Sequence, residues 1–98
     1  MDYEAKGFLT EHAESVAKES ALSVSNDYDE LPNEVMTLLA AERMTGKLDG
    51  MYTMFLTLRE KDRDDDAEEE IDSIVGDHYR LFMNVFDVDP DEISDDRQ

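Results

Sequence analysis

Residues 35–58, VMTLLAAERMTGKLDGMYTMFLTL, decide how the rest of the chain is read. Within them Ala41, Met44, Leu48, Met51, Phe55 and Leu58 recur at alternating steps of three and four. That spacing holds them on one stripe of a helix and repeats as a heptad seam does. Gly46 and Gly50 interrupt the stretch, each costing about 1 kcal/mol against alanine in a helix interior. Two readings compete. Thr45-Gly46 could cap one helix while Asp49-Gly50 turns into another; or one helix runs through, and the two glycines, a turn apart, admit a close neighbouring backbone. The seam keeps its phase across the gap, which favours a single helix. Its six residues carry more apolar length than one short partner helix needs, so they are the expected self-association surface of a homodimer.

Upstream, residues 4–24 carry Phe8, Leu9, His12, Ala13, Val16, Ala17, Ala21 and Val24 at helical steps. Residues 25–30 break that period and read as a loop, and Pro32 stands where a proline opens a second helix. Downstream, residues 61–70 are the sharpest change of composition. Asp64, Asp65 or Asp66 can cap a third helix, and Glu68, Glu69 and Glu70 suit its positive end. The apolar residues Ile71, Ile74, Val75, His78, Leu81, Phe82, Val85 and Phe86 carry that helix to about Phe86, and Pro90 stops any continuation. No segment alternates at period two. The expected fold is therefore all-α, a small bundle of three to four helices over residues 1–90, with an acidic, frayed tail at 91–98. Phe8, Val16, Leu39, Leu48, Phe55, Ile74, Phe82 and Val85 are the expected core.

Ninety-eight residues make one domain with one modest core. The chain has no cysteine, which removes disulfides and thiolate chemistry and fits a cytoplasmic protein. Met1 to Lys6 is acidic where a secretory leader is basic, and the longest apolar run, Val35 to Ala41, is interrupted by Thr37.

Charge is the dominant feature. Twenty-seven acids face nine bases, a formal net charge of −18. Residues 62–72 alone hold eight acids and one base: Asp62, Asp64, Asp65, Asp66, Glu68, Glu69, Glu70 and Asp72 around Arg63. Such a chain repels phosphate backbones and anionic headgroups, which argues against direct nucleic-acid or membrane binding. It is attracted to basic surfaces. If helical, these eleven residues span about 16 Å, a length over which duplex DNA presents about nine charges. The octet is thus the expected contact for a basic, nucleic-acid-binding groove on another protein. The competing explanation is salt adaptation. Aspartates number fifteen against twelve glutamates and only four lysines, and at 1 M salt a Debye length of about 3 Å removes self-repulsion.

In size, charge and helicity the chain resembles phage-encoded inhibitors such as anti-CRISPR and anti-restriction DNA mimics. The resemblance lies in composition and covers no alignable residues. It implies an antagonist that occupies a basic groove on a defence or replication protein. The alternative is a salt-adapted helical adaptor that self-associates through the seam.

Other chemistry finds little footing. An EF-hand loop needs glycine at its sixth position and a glutamate at its twelfth. Started at Asp62, the pattern meets Ala67 and Ser73 there; started at Asp87, it meets Glu92 and Gln98. His12 and His78 both fall on apolar stripes and have no ligand partner three or four residues away, so both read as core or interface histidines. Met44, Met51, Met54 and Met83 read mainly as core filler, with an adaptable contact surface as the second reading. No catalytic group, metal or cofactor is expected.

Overall fold

The structure, a computed structural model, describes residues 1–89; the tail expected at 91–98 lies outside the described residues. Four helices succeed one another in order: α1 (Tyr3–Asp27), α2 (Asn33–Arg59), α3 (Ala67–Asp77) and α4 (Tyr79–Val85). The bundle is all-α, and among the described residues there is no strand.

α1 starts because Asp2 caps it, its carboxylate accepting the Glu4 N–H at 2.8 Å. The helix runs three residues beyond the periodic stretch, so Ser25, Asn26 and Asp27 are helical. Its buried face is made largely of small side chains: Ala5, Ala13, Ala17, Ser20 and Ala21 alternate with Leu9, Val16 and Val24. Alanine at a helix contact lets the axes approach closely, and α2 lies along this face in antiparallel sense.

α2 is one helix of 27 residues, about 40 Å long. Gly46 and Gly50 lie inside it, both exposed, and a Cβ on either would meet nothing within 4 Å. The close neighbouring backbone is therefore not found within this chain. Thr37, Thr45 and Thr57 each return their hydroxyl to the carbonyl four residues earlier, at 3.0 Å. Fully buried Thr37 is satisfied in this way.

The heptad seam divides. Met44 and Leu48 are completely buried and Phe55 nearly so; Ala41 and Met51 are half-buried, and Leu58 is 76% exposed. The reason is length. α1, at 25 residues, is nearly as long as α2 and covers most of the seam from within the same chain.

The expected third helix is broken at His78 into α3 and α4. There the ring Nδ1–H donates to the Ile74 carbonyl at 2.9 Å, the acceptor an α-helix reserves for the His78 N–H. That N–H turns to the Val75 carbonyl at 3.0 Å instead. Gly76 makes the break cheaper. The break rotates the residues beyond it: Phe82, Met83, Phe86 and Val88 are buried, while Val85, expected in the core, is 53% exposed. Phe8 and Leu39 pack on the core's rim instead of within it.

The ends of α2 and α4 share one device. Glu60 and Asp87 have φ of 53° and 55°. Lys61 N–H reaches back to the Leu56 carbonyl at 2.9 Å, and Val88 N–H to Met83 at 2.8 Å. Both are Schellman turns with an acidic residue where glycine is favoured.

Candidate functional site: the acidic segment

The acids of 62–72 are placed by three anchors. The turn after α2 sends the chain back along that helix. Buried Tyr52 then receives it, its hydroxyl accepting the Asp64 N–H at 3.2 Å, while the Arg63 guanidinium lies 5.3 Å from the Tyr52 ring centroid. Arg63 also bonds Asp49 on α2 at 2.6 Å. Finally Ala67, fully buried, seats the first residue of α3.

The condition that all eleven residues be helical is not met, although the third helix starts where the aspartates mark it. Residues 61–66 form loop and turn, and only Ala67 onward is helical. None of Asp64, Asp65 and Asp66 caps α3 as expected: Asp66 stands at the cap position without a side-chain hydrogen bond to the helix. Its carboxylate has another partner, the chain's own N-terminus.

The Met1 ammonium lies 2.5 Å from Asp66 Oδ1, 3.3 Å from Glu70 Oε2 and 3.6 Å from Asp64 Oδ2. The Asp2 N–H donates to Asp64 Oδ2 at 2.9 Å. Asp2 in turn pairs with Lys61, and Lys6 approaches Glu70 at 3.7 Å. Hydrogen bonding to Asp66 raises the ammonium above its ordinary 8.0, and the same bond lowers Asp66 below its ordinary 3.8. Lys61 lowers Asp2 in the same manner.

The octet therefore splits. Asp64, Asp66 and Glu70 hold the amino terminus. Asp62, Asp65, Glu68, Glu69 and Asp72 are exposed, and among the described residues they have no ion-pair or hydrogen-bond partner. These five do not share one face. Glu68 and Asp72, four apart on α3, border a hollow with Thr45, Gly46, Asp49 and Arg63. Glu69, about 100° further round, faces a second hollow with Lys6, Thr10, Asp77 and His78. The charge wraps around the start of α3 instead of running along a rod.

The ammonium clamp had no signal in the sequence, because 65 residues separate Met1 from Asp66. The histidines also part. His78 is half-buried with one satisfied nitrogen, whereas His12 is exposed, which removes the core half of its core-or-interface reading, and sits edge-on to Phe8 at 5.0 Å. Met44 and Met83 are core; Met54 is 62% exposed. Among the described residues no group of three or more His, Asp or Glu is placed to hold a metal ion, and no helix is long and apolar enough to cross a membrane. The second EF-hand window, from Asp87 to Gln98, runs outside the described residues. No protein-family model matches the chain, and neither curated proteins nor solved structures yield a match to it.

Proposed function

We propose that this chain is a binding protein that presents acids to a basic surface of a partner protein, as an inhibitor of the nucleic-acid-mimic kind would. It is not read as an enzyme. One observation carries the proposal. Each basic residue of α2 (Arg43, Lys47 and Arg59) is matched to an acid, as are Lys6, Lys18, Lys61 and Arg63. Asp62, Asp65, Glu68, Glu69 and Asp72 remain unneutralised around the start of α3. A single exposed ion pair contributes about 0–1 kcal/mol, so affinity would come from the five together.

The test is a block variant: Asp62→Asn, Asp65→Asn, Glu68→Gln, Glu69→Gln and Asp72→Asn. It leaves Asp64, Asp66 and Glu70 in place, so the ammonium clamp survives. Affinity capture from lysate with the native chain should recover basic proteins at low salt and lose them as salt rises. The block variant should recover none of them. Retention of the same proteins by the variant would remove the support for this surface.

A second reading has its own observation. Exposed acids without an ion pair also occur away from this segment, at Asp29, Glu30 and Glu34 around the α1–α2 turn. Salt adaptation spreads charge in this way, because it concerns solvent and no single partner. Under it, the block variant binds as the native chain does and loses only solubility in concentrated salt.

A further inference from the structure

One edge of the α1–α2 hairpin has a regular order. On α2, Arg43, Lys47, Met51, Phe55 and Arg59 stand four residues apart on a single ridge. Arg43 meets Asp27 at 2.8 Å, Lys47 meets Glu19 at 3.9 Å and Arg59 meets Glu4 at 3.0 Å. Between the second and third ion pairs the edge is apolar. Phe8 stacks on Phe55 with centroids 5.5 Å apart, and Phe8, Met51, Met54, Phe55 and Leu58, with Arg59 beside them, line a groove of about 230 Å³. Met54 is 62% exposed and Leu58 76%.

The size of the groove limits its occupant. It falls below the roughly 300–1,000 Å³ of sites that enclose a whole small ligand, and suits one or two apolar side chains. The two methionines give it an adaptable wall.

Charge then selects what carries those side chains. A second copy would bring −18 against −18, and anionic lipid is repelled in the same way. Arg59 in the groove wall is already paired with Glu4, and the nearby charges that lack an ion pair are acidic. Glu11 stands one turn along α1 from Phe8, and Glu60 and Asp62 lie within four residues after Leu58, at most about 14 Å of chain. All three are exposed and lack an ion pair among the described residues. We propose that the groove docks the apolar face of a basic amphipathic helix belonging to a partner protein. The proposal rests on the reading that the acids meet a basic surface, and adds to it a short-range anchor that salt does not screen.

Two synthetic lysine-rich helical peptides of equal charge test it, one carrying leucines along one face and the other alanines. Binding to the full chain is followed by fluorescence anisotropy at about 50 mM and about 500 mM salt. The leucine peptide should bind at least about tenfold tighter, and the ratio should persist at the higher salt. Met54→Ser with Leu58→Ser should abolish the ratio; both side chains are exposed, and circular dichroism checks that the fold is kept. The five-acid block variant should weaken both peptides alike and leave the ratio unchanged. Equal affinities for the two peptides, or a ratio that survives the serine substitutions, would overturn the groove while leaving the acidic surface intact. A block variant that binds both peptides as the native chain does would instead sink the acidic reading. A dimer in sedimentation that the serine substitutions abolish would assign the groove to a second copy, which also overturns the proposal.

Discussion

At the scale of single residues, burial and backbone conformation decide what a substitution costs. Phe82 is fully buried where α4 meets the core. Phe82→Ala should cost about 3–5 kcal/mol in denaturant unfolding, and a loss below about 1 kcal/mol would show that the ring is not packed as described. Glu60 is the opposite case, since its side chain is exposed and its backbone strained at φ 53°. Glycine adopts that conformation freely, so Glu60→Gly should raise stability by about 0.5–1 kcal/mol. An unchanged or lower melting temperature would contradict it. Phe82 is legible from its place in a periodic run; Glu60 is not, because a left-handed residue is set by where the helix stops. The same limit explains Val85. Its phase is right for an unbroken helix and wrong once His78 takes the Ile74 carbonyl.

At the scale of the element, α2 shows how far periodicity reaches. A seam in phase across Gly46 and Gly50 identifies one continuous helix, and the structure has one. The seam alone does not say what covers it. Heptad spacing is shared by helices that pair between chains and within one, and α1 supplies the partner here. With no atom near either glycine's missing Cβ, Gly46→Ala and Gly50→Ala should each stabilise the protein by about 0.5–1 kcal/mol, read as a rise in the denaturant midpoint. Destabilisation by either would mean that a backbone outside this chain approaches the helix there. Capping residues at 64–66 mark where the third helix begins, yet nothing in the sequence shows that the stretch before it pairs with Tyr52 and the N-terminus.

At the scale of the whole molecule, the ammonium clamp ties the first residue to the start of α3 and makes stability depend on pH at both ends. Asp66 is lowered, so its contribution is present above its ordinary 3.8 and is lost as pH falls through the lower folded value. The Met1 ammonium is raised, so its contribution is full below 8.0 and is lost as pH rises through the higher folded value. The clamp is therefore intact between those limits. Melting temperatures from about pH 7 to about pH 10 should fall in the native chain, and Asp66→Asn should flatten that decline. Identical slopes in the two proteins would show that the clamp contributes nothing. What the sequence determined by itself was the class of fold, the continuity of α2 and the excess of acid, because periodicity and composition are local properties that survive in any arrangement. Tertiary structure alone decided which acids are spent on the chain's own cations, which half of the seam is buried, and where an apolar groove stays open. Those outcomes depend on pairs such as Met1 with Asp66 and Phe8 with Phe55, whose members are brought together only by packing.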